Sequence, residues 1–197
     1  MSNDDSGIIA ADEVDTWRGG ASFSLRNRIY RLTFQLIWLL LARWTLPRWH
    51  GWRRLILRAF GATIAPHAGI YPSARIWSPE NLEVGDYAFI GPGVEVYSMG
   101  KITLEPYALI SQRAHLCAGT HDIEDVNFQL CAAPIRIQAR AWVATEAFVG
   151  PGVTIGRGAV LGARSVTFRD LDPWTVNVGN PANHIKDRRV RFPDCPE

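Results

Sequence analysis

Cysteine is scarce in this chain. Its three cysteines, Cys117, Cys131 and Cys195, stand at unrelated spacings, which excludes a disulfide framework and a zinc-ligand pattern and makes a reducing cytoplasm the expected setting. Neither sign of charge dominates: 21 basic and 19 acidic residues leave +2, and no nucleic-acid partner is expected. The N-terminus is acidic and polar and lacks the basic and apolar regions of a secretory signal. The apolar run Leu36–Ala42 is far short of the roughly 20 residues a membrane span needs.

The balanced total hides one segment without any acid. Residues 22–63 carry eight arginines and no Asp or Glu, a local charge of +8, whereas residues 1–21 sum to −4. Residues 1–21 are expected to be a disordered acidic tail. Residues 22–61 read as two helices. Leu25, Ile29, Leu32, Leu36 and Leu39 form one apolar stripe that ends at Pro47, and Trp52, Leu55, Ile56, Ala59 and Phe60 form a second before Gly61. This pair is expected to cap the rest of the chain or to lie on the inner face of the cytoplasmic membrane, where arginines and tryptophans suit an anionic interface.

Beyond residue 62 the strongest signal is a period of six. Aliphatic residues recur at Ile64, Ile70, Ile76 and Leu82, then at Val84, Ile90, Val96 and Ile102, then at Leu104, Ile110 and Leu116, and finally from Ile137 through Val143, Val149 and Ile155 to Leu161. The following residue is often small, as at Gly91, Ala144, Gly150 and Gly162. Neither a helix nor a simple strand alternation has this period. A triangular solenoid has it, with one hexapeptide per side and its aliphatic residue pointing into a narrow interior. The expected fold class is therefore mainly β: a parallel β-helix over residues 62–170, interrupted by an inserted loop at 122–134 and followed by a C-terminal extension at 171–197.

Within this frame stand the motifs GTHD (Gly119–Asp122), AWV (Ala141–Val143), GPGVTIG (Gly150–Gly156), PWTV (Pro173–Val176) and GNPA (Gly179–Ala182). In this combination residues 64–190 resemble the hexapeptide-repeat acetyltransferases of the galactoside, maltose and nodulation-factor type. Within them the chain is most similar to the colanic acid biosynthesis acetyltransferases. The resemblance implies a left hand for the helix, acetyl-CoA as acyl donor, and direct transfer to a hydroxyl of a sugar or lipid-linked oligosaccharide in surface-glycan synthesis. Transfer to an amino-sugar nitrogen is the alternative, since the same histidine would serve it.

The resemblance also implies roles. His121, just before the insertion, aligns with the catalytic histidine, and a neutral imidazole is a suitable base for a hydroxyl proton near pH 7. Asp122 and Glu124 are candidates to orient it. Residues eighteen apart share a side of the solenoid, so Ala144 and Gly162, and Thr145 and Ala163, stack as small pairs that leave room for a pantetheine arm. The resemblance adds a backbone oxyanion donor near Ala144–Thr145, Trp142 beside the thioester, and Arg169 and Lys186 at the coenzyme phosphates. Gly91 stands where the family carries an acceptor-binding asparagine, so galactoside specificity does not carry over. A zinc-dependent carbonic anhydrase on the same solenoid would have to gather His67, His115 and His121, and a non-catalytic scaffold would lack the whole set. Without the thirteen-residue insertion, His121 and Thr145 are eleven positions apart, short of the eighteen that return to one side. A homotrimer with sites between chains is expected.

Overall fold

A computed structural model describes residues 7–190. From Thr63 the chain winds as a left-handed parallel β-solenoid of about six turns, and three short sheets form its faces. Face 1 stacks Thr63–Ile64, Leu82–Val84, Ile102–Leu104, Ile135–Ile137 and Thr154–Ile155. Face 2 stacks Gly69–Ile70, Phe89–Ile90, Leu109–Ile110, Trp142–Val143, Val160–Leu161 and Thr175–Gly179. Face 3 stacks Arg75–Ile76, Glu95–Tyr97, His115–Cys117, Phe148–Val149 and Val166–Thr167. Pairing repeats at each turn, for example Ile70↔Ile90↔Ile110↔Val143↔Leu161. The hexapeptide aliphatics point inward and are almost fully buried, each stabilising the prism by about 1.5–3 kcal/mol through burial.

The edges explain the rest of the hexapeptide. Between faces 1 and 2 the chain turns through left-handed backbone at Tyr87, Tyr107 and Arg140, with φ of 55°, 63° and 62°. Their side chains stack along the edge: His67 on Tyr87, Tyr87 on Tyr107, and the Arg140 guanidinium over Tyr107. One turn further the same position must be glycine, because a Cβ on Gly158 would stand 2.5 Å from the Trp174 ring.

The solenoid extends past the expected boundary at residue 170. Leu171 bridges to Ile155 on face 1, and Thr175–Gly179 joins face 2 before Ala182–Asp187 folds back on it antiparallel. Residues 191–197 of the expected extension lie outside the described residues.

At the other end, the first turn presents backbone carbonyls with no strand beyond them. Side chains from α1 (Leu25–Ile37) and α2 (His50–Ala59) take them. Gln35 donates to the Ile76 carbonyl, Arg54 to Ala68, Arg58 to Ile64, and Arg53 to Ile70. Arg53 is fully buried and also donates to Thr45, Leu46 and Pro47. Three of the eight arginines in the acid-free segment are thus accounted for, and Arg31, lying over Trp77, makes a fourth. The sequence stripe on the first helix faces the other way. Phe34, Trp38 and Ala42 make the buried side, whereas Leu25, Ile29, Leu32, Leu36 and Leu39 are exposed. The α-helix also stops at Ile37, ten residues before Pro47, and widens into a π-turn at Trp38–Ala42.

The acidic tail differs most from expectation. Residues 1–6 lie outside the described residues, but residues 7–21 form a strap over the insertion. Ile8 bridges to Phe23, the Ala11 N–H donates to Gln129 Oε1, and Thr16 donates to the Asn127 carbonyl. The Trp17 ring meets Phe128 edge-on at 5.8 Å. These contacts give the segment the apolar and hydrogen-bonding anchors that its composition conceals.

Candidate active site

The insertion leaves the edge between faces 3 and 1 as an antiparallel arm, Gly119–His121 against Leu130–Ala132. His121 closes this ladder. Its Nδ1 lies 2.7 Å from the Phe128 carbonyl, and because a carbonyl can only accept, the neutral ring carries its proton on Nδ1 and leaves the lone pair on Nε2. The orienting group is therefore backbone. Asp122 caps the Glu124 N–H within the loop instead, so neither expected acid holds the histidine. A cleft of about 260 Å³ opens at His121, walled by Phe128 and Leu130 of the arm and by Ile9, Ala11, Thr16 and Trp17 of the strap.

These strap residues were absent from the sequence expectation. The lone Trp17 and the Ile8–Ile9 pair inside a polar stretch were the available signals. The Phe128 carbonyl had no signal, since every residue has one.

The small residues gather elsewhere, at the edge between faces 2 and 3. Ala144 stacks on Gly162 in continuation of the register Trp142↔Val160, Val143↔Leu161. The Ala144 N–H is committed to the Leu161 carbonyl, whereas the Thr145 N–H makes no hydrogen bond among the described residues, which narrows the expected donor pair to Thr145. Thr145 is half-buried and Ala163 exposed, and this strip of small side chains along the edge is termed the trough. Gly162 has a further reason to be small: a Cβ there would meet Val178 at 2.6 Å. Below the trough, Arg113 and Arg164 clamp Glu146 at 2.5 and 2.6 Å, and the Arg164 hydrogen bond, helped by the Arg113 charge, holds its carboxyl below the usual range.

Trp142 is 40% exposed on face 2, and its indole N–H donates to Ser111 at 2.8 Å. Lys186 lies on the same sheet, paired with Val176. Arg169 does not. It sits in the turn after Val166–Thr167, at the edge that carries the arm. One chain thus groups Trp142, Ala144, Thr145, Gly162, Ala163 and Lys186 on one side, and places His121 and Arg169 along another edge.

The other histidines disperse. His67 pairs with Asp86 at 2.9 Å on the edge between faces 1 and 2. His115 lies on face 3 against Phe148, its Nε2 buried without a partner and its pKa lowered mainly by burial. Among the described residues no three His, Cys, Asp or Glu side chains come together as a metal site. At Gly91 a side chain would strike the Ile110 carbonyl at 2.8 Å, so this position packs against the next turn.

No protein-family model matches the sequence. The colanic acid biosynthesis acetyltransferase WcaF of Escherichia coli (strain K12) is 43% identical over 157 residues, covering 78% of this chain and 86% of the relative. Two solved structures share the fold. A maltose O-acetyltransferase from Clostridium difficile 630 superposes with a TM-score of 0.75 at 24% identity, over 85% of this chain and 90% of that one. The hexapeptide-repeat acetyltransferase VCA0836 of Vibrio cholerae, complexed with acetyl coenzyme A, gives 0.74 at 22% identity, over 85% and 91%. With this extent of identity to WcaF carried on this solenoid, the chain belongs to the hexapeptide-repeat acetyltransferases, in the colanic acid biosynthesis acetyltransferase group.

Proposed function

We propose that the protein transfers the acetyl group of acetyl-CoA to a hydroxyl of a sugar in the synthesis of a surface glycan. The observation that carries the chemistry is the His121–Phe128 hydrogen bond, which leaves Nε2 as an unprotonated base at the mouth of a cleft. In the proposed step the acceptor oxygen attacks the thioester carbonyl carbon while Nε2 takes the hydroxyl proton. The oxyanion then collapses, the C–S bond breaks, and the imidazolium returns the proton to the departing thiolate. The free Thr145 N–H is suited to the developing oxyanion. The trough at Thr145 and Ala163 fits a thin pantetheine arm, with Trp142 beside it and Lys186 at the end of that face for phosphate. The maltose and colanic acid relatives support a sugar as acceptor.

Base and trough lie on different edges, so a complete site needs two chains. In a cyclic trimer with face 3 turned toward the axis, the arm edge of one chain meets the trough edge of the next. Arg169 would then join the coenzyme from the same chain as His121. Release of free CoA thiol, followed across hydroxyl sugars, amino sugars and lipid-linked oligosaccharides, tests the reading. Thiol release with hydroxyl acceptors, and an ester in the product, is expected. An amide product made only from amino sugars would replace it.

A further inference from the structure

The helical cap has two faces, and only one is used. Toward the solenoid it is fixed by Phe34, Trp38, Ile56 and Leu57 and by the arginines that hold the first turn's carbonyls. Away from the solenoid, Leu25, Ile29, Leu32 and Leu36 form a continuous stripe on α1, diametrically opposite Phe34. Leu25 is 68% exposed. The connecting segment adds Leu40, Leu41 and Trp44, the last 80% exposed, and α2 adds Trp52 and Leu55. The Trp52 indole N–H is already satisfied by the Leu41 carbonyl, so its ring can enter an apolar medium without an orphaned donor. So many exposed large apolar side chains on adjoining segments mark a contact site.

Charge selects the occupant. Arg26, Arg28 and Arg48 are exposed along the same segment and make no ion pair among the described residues, and no acid occurs between residues 22 and 63. A second copy docking through the same face would bring an identical set of arginines against them. We infer that this face lies in the plane of an anionic lipid surface, with leucines and tryptophans in the headgroup boundary and these three arginines at lipid phosphates. Among the described residues no helix is long and apolar enough to cross a membrane, so the cap lies on the bilayer. The solenoid axis then stands away from the lipid. The arm leaves the third turn, which puts His121 roughly 20 Å above the surface: two turn spacings and one helix layer. A trimer packed side by side would present three caps at one end, and their attachment would be multivalent.

The inference is independent of which acceptor is used, and its test reads binding rather than turnover. The full-length protein is sedimented with phosphatidylglycerol vesicles and with phosphatidylcholine vesicles at low and high salt, alongside Leu32→Glu/Leu36→Glu and Arg26→Gln/Arg28→Gln. Solution mass and CoA release with a water-soluble acceptor are measured in parallel. Expected is salt-sensitive binding to the anionic vesicles, abolished in the leucine variant and weakened roughly thirtyfold in the arginine variant, with mass and turnover unchanged. Absence of wild-type binding at low salt overturns the inference, as does leucine-variant binding equal to wild type. A leucine variant that falls to a smaller assembly overturns it in favour of a contact between copies.

Discussion

A single backbone carbonyl decides what His121 can do. With Nδ1–H donated to Phe128, the neutral ring presents Nε2 as its acceptor, and no acidic side chain is needed to orient it. Replacing His121 by Ala should lower kcat at least about a hundredfold, the scale of general-base assistance, while KM for acetyl-CoA changes little. Near-normal turnover by the folded variant would reject the assignment. Two other histidines bear on stability. His50 Nδ1 lies 2.9 Å from the Ile70 carbonyl and close to the Ile70 N–H and Arg53, and its pKa is lowered chiefly by burial, against the opposing Ile70 hydrogen bond, with the Arg53 and Arg54 charges adding to the lowering. His115 is lowered chiefly by burial, against an opposing pull from Glu95. For both, the unfolded chain takes up a proton near the ordinary 6.5 and the folded chain does so only at lower pH. Their contribution to stability is therefore complete above 6.5 and is lost as pH falls through the lowered folded values. The melting temperature should be flat above neutrality and decline below about pH 6.5. His115→Phe, which removes one titrating ring and its unpartnered nitrogen, should flatten that decline, and an unchanged slope would assign the effect elsewhere.

At the scale of elements, the sequence pattern and the structure agree where local repetition decides and part where packing partners decide. The aliphatic period located the turns of the prism as far as Leu161 because each hexapeptide meets the same surroundings, one strand spacing above and below, whereas Leu171 and Thr175–Gly179 extend the stack outside that period. His121 was singled out by its place before the break in that period together with the family resemblance, and the stacking of Ala144 on Gly162 was legible because eighteen residues close one turn. The α1 stripe was legible as a helix signal but not as a direction. Leu25, Ile29, Leu32, Leu36 and Leu39 make the longer aliphatic run, yet Phe34, Trp38 and Ala42 are the side that faces the coil. The strap was hidden because its anchors, Ala11, Thr16 and Trp17, are spaced to fit a partner loop and follow no period of their own. In the cap, Arg53 is the most heavily bonded side chain, fully buried among carbonyl acceptors. Arg53→Met keeps the volume and leaves those carbonyls unpaired, which should cost about 3 kcal/mol or more. The melting temperature should then fall by roughly 6–12 °C for a chain of this size, as read by thermal denaturation. A loss below one-third of that would mean that water or neighbouring arginines take over the carbonyls.

Taken whole, the molecule is a prism whose reactive parts are divided between edges. If chains complete one another's sites, His121→Ala and Ala163→Trp chains, each inactive alone, should recover activity when mixed and reassembled, because one pairing in the mixed trimer joins an intact arm to an intact trough. Mixed trimers that form and stay inactive would place each site within one chain. The arginine cap has a different consequence. In a stack where every turn touches only its neighbours, resistance to fraying is set at the two terminal turns, and cooperativity spreads inward from them. One terminus here is closed by a hairpin that belongs to the ladder, the other by guanidinium groups from a separate pair of helices. Amide hydrogen exchange should accordingly show unequal ends, with the first turns exchanging early whenever the helices lift away and the turns near Val143 and Leu161 exchanging last.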